Sequence, residues 1–290
     1  MRRVLLPLIC LIFLSPALRA QRAEGKNACY SGRADNAAYK KKLWNGYEIS
    51  LGPSRNPDEV EYKCTAAIYN SAGRVVFRTN GFNVVFDEDL TGEDFDGDGQ
   101  PEVVFKTDTG GGNQCCWGYI ILSLSPIPHK LFEIAMDGRV DFEKDENGKM
   151  VIWKRTGGPF DFTSMAGRPF AEKVFRVHEG KLVDATPEFC GRISREGNED
   201  RRIEKRVLAA EDLSKFQKSG DTGGDNEVII STLLSRALQD VFCRHFDEAL
   251  SDLNLWPEAS RWKMKTGFAD FIQADYPEFA AKLRESAQKK

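Results

Sequence analysis

The stretch Val140-Asp141-Phe142-Glu143-Lys144-Asp145-Glu146-Asn147-Gly148-Lys149-Met150-Val151-Ile152-Trp153-Lys154 sets the fold class. Two strand-like runs, Val140–Phe142 and Met150–Lys154, flank Asp145-Glu146-Asn147-Gly148. Asn-Gly is a strong hairpin signal, because tight turns need residues that tolerate positive φ. Further on, Val174–Val177 and Leu182–Val183 flank Glu179-Gly180. Consecutive hairpins make an antiparallel meander. Upstream the texture is the same: Tyr47–Leu51, Glu61–Tyr69, Val75–Arg78, Val84–Phe86, Glu102–Lys106, Tyr119–Leu124 and Leu131–Met136 read as strands between turns.

After Cys190 the pattern changes. Arg192 to Asp200 is polar and linker-like. Ile203 to Phe216 has apolar residues at 203, 207, 208 and 213, and Gly220 to Asp225 is a Gly/Asp-rich break. Asn226 can cap a helix whose apolar positions recur at 230, 234, 238, 241 and 242. Pro257 and Pro277 suit first-turn positions. Trp256, Trp262, Phe268, Phe271 and Phe279 form an aromatic stripe that reads as core rather than as a ligand groove. The expectation is an α+β chain. An antiparallel, propeller-blade-like meander occupies 21–190, and a helical region follows over 191–290.

The chain has 290 residues, 41% of them hydrophobic, and a formal charge of −3. That composition is globular. The small acidic balance argues against a nucleic-acid partner, which would call for a basic face. Arg2-Arg3, the apolar run Val4 to Leu18 and the small residues Ala17 and Ala20 have the layout of a secretory signal peptide over 1–20. Its apolar run is too short for the roughly 20 residues of a spanning helix. Cleavage is expected after Ala20, with Ala17 as the alternative. The mature chain is expected to be secreted or periplasmic, with no membrane span.

Six cysteines remain beyond the leader: Cys29, Cys64, Cys115, Cys116, Cys190 and Cys243. An even number in an exported chain suggests disulfides, and six allow about 15 connectivities. Spacing makes Cys29–Cys64 and Cys190–Cys243 plausible staples. Cys115 and Cys116 are adjacent; they read as a strained redox pair, as two buried thiols or as bonds to other partners.

The strongest chemical signal is Asp94-Phe95-Asp96-Gly97-Asp98-Gly99-Gln100-Pro101-Glu102, running into Val103-Val104-Phe105. Acids at relative positions 1, 3, 5 and 9 of a tight loop converge their oxygens. Gly99 permits the sharp turn, and Gln100 can offer its backbone carbonyl. Six to eight hard oxygen ligands with flexible geometry suit Ca²⁺ better than Mg²⁺. Residues 87 to 108 hold nine acids and one base, whereas the rest of the mature chain is slightly basic. Such concentrated charge is unfavourable without a cation. Asp94, Asp96, Asp98, Gln100 and Glu102 are therefore the candidate ligands.

An EF-hand is excluded, because its twelfth position would be Phe105 and a strand, not a helix, follows. The loop resembles the Asp-rich calcium loops of the FG-GAP/VCBS type, found in integrin-like β-propellers and many exported bacterial proteins. That resemblance implies Ca²⁺ held by Asp94, Asp96, Asp98 and Glu102 at the entry to a strand. Gly110-Gly111-Gly112, Cys115-Cys116 and Tyr119-Ile120-Ile121-Leu122 also resemble a pattern in uncharacterised exported bacterial proteins. The resemblance spans about 35 residues. It brings one loop, whereas a propeller repeats typically 4–8 blades.

The enzymatic alternative is a secreted hydrolase of aspartic-protease type. Asp108-Thr109-Gly110 and Asp221-Thr222-Gly223 would supply two aspartates sharing a proton. Lys106-Thr107 stands where that chemistry wants apolar residues, and the second triplet lies in a polar break. The favoured reading is a non-catalytic binding or envelope-associated module with a structural calcium site and a protein or glycan ligand. A disulfide-held structural protein is a third reading.

Overall fold

The computed structural model describes residues 27–30, 38–54, 63–108, 117–135, 138–158, 163, 167–196, 209–219 and 226–288. The leader, Gly110–Gly112, Cys115-Cys116 and Asp221-Thr222-Gly223 lie outside the described residues. The fold is α+β, with every strand pairing antiparallel. The chain forms two compact units, Met1–Glu88 and Asp89–Lys290.

In the first unit, β2 (Tyr39–Lys42), β3 (Glu48–Pro53), β4 (Cys64–Tyr69) and β5 (Val75–Gly81) form a four-stranded meander. Ile49, Leu51, Ala66 and Ile68 are fully buried in it. The short strand β1 (Ala28–Tyr30) pairs with β6 (Asn83–Phe86). A Cys29–Cys64 disulfide fastens β1 to β4. Two strands had no apolar alternation to betray them: β1 is three residues long, and β2 reads Tyr-Lys-Lys-Lys. Lysines on an edge strand discourage pairing with foreign strands.

The second unit begins with β7 (Glu102–Asp108), β8 (Gly118–Ser123) and β9 (His129–Ile134), another meander. A four-stranded meander follows: β10 (Val140–Lys144), β11 (Met150–Gly157), β12 (Phe170–His178) and β13 (Lys181–Asp184). Phe95, Val104, Tyr119, Ile121, Phe132, Val140 and Ile152 share one core. Both expected hairpin turns are present. Asp145 accepts the N–H groups of Asn147 and Lys149, each at 2.9 Å, and so holds the first one shut.

Six helices are described: α1 (Thr186–Glu196), α2 (Ala210–Ser219), α3 (Glu227–Phe242), α4 (Phe246–Leu253), α5 (Glu258–Ile272) and α6 (Pro277–Gln288). The expected apolar face of α3 is its buried face, including Ile230, Leu234, Leu238, Val241 and Phe242. Trp256, Phe268 and Phe279 are core, whereas Trp262 and Phe271 are exposed. Helix α1 corrects the linker reading over 192–196; residues 197–208 lie outside the described residues. Its Phe189 packs edge-on against Trp153 at 5.4 Å, and the Arg192 guanidinium lies 4.5 Å over the same ring. An arginine thus supplies part of the packing face, so the apolar period is missing from the sequence. A Cys190–Cys243 disulfide ties α1 to the end of α3.

One edge of β12 is finished by side chains instead of a strand. Strand β13 pairs with residues 175–178 only. Ahead of that, the N–H groups of Phe170, Glu172 and Val174 donate in turn to Ser235 Oγ (3.0 Å), Gln239 Oε1 (2.8 Å) and Thr186 Oγ1 (3.0 Å). The Gln239 amide also donates to the Glu172 carbonyl at 3.2 Å. A primary amide carries the same donor and acceptor as a peptide group, so Gln239 imitates one rung of a ladder.

Candidate metal centre

The loop over 94–101 is clamped at its base by the backbone. Glu102 N–H donates to the Glu93 carbonyl, and Gly92 N–H to the Glu102 carbonyl, both at 2.9 Å. Thr91 Oγ1 accepts from Val104 N–H at 3.0 Å. Within the loop, carboxylates take up the backbone donors. Asp94 accepts from Gly97 (2.7 Å) and Gly99 (2.9 Å), Asp96 from Asp98 (3.2 Å), and Asp98 from Gln100 (2.7 Å). Short acids bonding N–H groups two or more residues ahead favour tight turns. Gly97 and Gly99 both have positive φ, +79° and +82°. Gly99 was expected at such a turn; Gly97 is a second one.

Phe95 is the loop's inward residue. It is 2% exposed and meets Phe142 edge-on at 5.8 Å and Phe132 at 6.2 Å. Sequence reasoning passed over it, although a large apolar side chain in an otherwise polar loop is a candidate for burial.

Three of the five expected residues converge. Asp94, Asp96 and Glu102 each bring a carboxylate oxygen within 4.8 Å of the others. Oxygens at about 2.3–2.6 Å from a common calcium ion lie at most about 5 Å apart, so the spacing fits. Asp98 is outside this group and holds the Gln100 N–H, and Gln100 itself is exposed.

Glu102 is the unusual member. It is fully buried; its Oε2 accepts the Phe95 N–H at 2.7 Å, and its Oε1 has no hydrogen-bond partner. Burial pushes its carboxyl up to about 8, against the Phe95 bond, and the nearby Asp96, Asp94 and Asp98 push the same way. Burial also raises Asp96. A buried oxygen without a partner is costly, and a bound ion or water would satisfy it. Three hard carboxylate oxygens and no nitrogen or sulfur suit Ca²⁺, Mg²⁺ or Mn²⁺ rather than zinc.

A second acidic group sits between α3 and α4. Asp252 is buried, with Oδ2 lacking a hydrogen bond and Oδ1 accepting from Arg236 at 2.9 Å. Burial, then Asp252, pushes Asp240 up to about 6, while His245 and Arg236 oppose the rise and Glu248 adds to it.

Of the protease alternative, Asp108 closes β7, and Asp221 lies outside the described residues. Compared with family models, curated proteins and solved structures, the chain matches none. Among the described residues, no helix is long and apolar enough to cross a membrane.

Proposed function

We propose that this is an exported calcium-binding protein, a non-catalytic binding or envelope-associated module whose ion is structural. One observation carries the reading: the buried Glu102 carboxylate, with an oxygen lacking a hydrogen bond, lies within one ion's reach of Asp94 and Asp96. Asp98, the Gln100 carbonyl and water would complete the six to eight oxygens Ca²⁺ takes. The ion would neutralise the acids and fix the loop at the entry to β7. Two disulfides, and the leader-like N-terminus of the sequence, support a secreted or periplasmic location. A protein or glycan is the proposed partner.

The test is thermal unfolding of the purified protein in EDTA, then with calcium or magnesium restored. Calcium should raise Tm more than magnesium does. Glu102→Gln keeps the shape and the Phe95 bond but loses the anionic oxygen. It should leave Tm in EDTA nearly unchanged and abolish the calcium shift. An identical calcium response in Glu102→Gln would refute the assignment.

A further inference from the structure

We propose that the ion loop and the β10–β11 hairpin are linked through Phe95, so that cation occupancy orders the hairpin and the hairpin sets cation affinity. This rests on the calcium reading and adds what the ion regulates.

The two oxygens of Glu102 face different tasks. One lacks a hydrogen bond, in a carboxylate grouped with Asp94 and Asp96; the other holds the Phe95 N–H at 2.7 Å. An ion that fixes the carboxylate therefore also fixes the Phe95 backbone. The Phe95 ring carries this into the core, edge-on to Phe142 at 5.8 Å, and Phe142 meets Tyr119 at 4.9 Å. A second tie runs alongside: Lys144 pairs with Glu93, just ahead of the loop, at 2.5 Å. Phe142 and Lys144 are two apart on β10, hence on one face of that strand. β10 thus grips the loop at two points without offering a ligand. Phe142 and Lys144 are positioning residues. If the ion favours the gripped arrangement, the grip must favour the ion by the same factor.

The experiment combines calcium calorimetry with hydrogen exchange of the full chain, in calcium and in EDTA. Calcium should slow exchange across 94–104 and also across 140–157. Phe142→Leu should weaken calcium at least fivefold at unchanged stoichiometry and remove the added protection of 140–157, and Phe142→Tyr should restore both. Lys144→Gln separates linkage from simple electrostatics. Removing a positive charge near an acidic site should by itself tighten calcium, whereas linkage requires weakening. Lys144 is half-exposed, so this variant carries the test if Phe142→Leu fails to fold. Wild-type calcium binding with protection confined to the loop, or with equal or tighter affinity in Lys144→Gln, overturns the linkage and leaves the site standing. Absence of any calcium binding to the wild type overturns the calcium reading itself.

Discussion

Glu102 and Asp252 pose the same physical problem in two places. Each is a buried carboxylate with one oxygen lacking a hydrogen bond. At Asp252 the chain supplies its own cation, Arg236, from the facing helix. At Glu102 the neighbours are more acids, and its carboxyl is pushed up to about 8. At Asp252 an arginine meets the buried charge; at Glu102 the neighbouring charges have the same sign, and the proposed ion would stand where the arginine does. Two buried acids with raised carboxyl groups thus call for opposite readings, and the sign of the nearest charge separates them.

The comparison can be broken from either side. Arg236→Ala should cost the most, about 3 kcal/mol, because it strands a buried charge. Chemical denaturation should give that loss equally in calcium and in EDTA; a calcium-dependent loss would erase the distinction. Stripping the ion from wild type should cost about 2.7 kcal/mol relative to calcium at one hundred times its Kd, read as a fall in Tm.

A smaller effect tests the helical group by pH. Burial pushes the Asp240 carboxyl up to about 6 in the folded chain, against about 3.9 unfolded. A raised carboxyl favours the protonated form on folding. Its stabilising contribution is therefore complete below about pH 4 and lost as pH rises through 6. Asp240→Asn should remove that decline and gain on the order of 2 kcal/mol at pH 7. Equal pH profiles for the two proteins would contradict the shift. Smallest is Asp98→Asn, expected to weaken calcium by less than about tenfold, or 1.4 kcal/mol, because Asp98 stands outside the converging trio. Asp96→Asn should cost more, and calorimetry on both variants checks the order.

The hairpins around Asn147-Gly148 and Glu179-Gly180 were legible because their turns are written in local chemistry. So was α3, whose apolar period matches its buried face. Helix α1 was not, since Arg192 and Phe189 cover Trp153 without a regular apolar repeat. Strand β2 was hidden by three lysines. At the candidate centre, the spacing of acids flagged Asp94, Asp96 and Glu102. It did not separate Asp98 from them, because a period of two gives the order of the acids along the loop and not which of their oxygens the turns bring together. Arg236 opposite Asp252 was invisible for another reason: the two are 16 residues apart and meet only when α3 and α4 pack.

The side-chain rungs along β12 carry a practical consequence. Ser235 and Gln239 come from α3, and Thr186 opens α1, so half of a central strand is shielded by parts of the chain made later. A nascent or clipped form ending before Glu227 would present Phe170 to Glu172 as bare backbone beside apolar neighbours. Such fragments should self-associate through that strip, and shortened versions of this protein are best cut elsewhere.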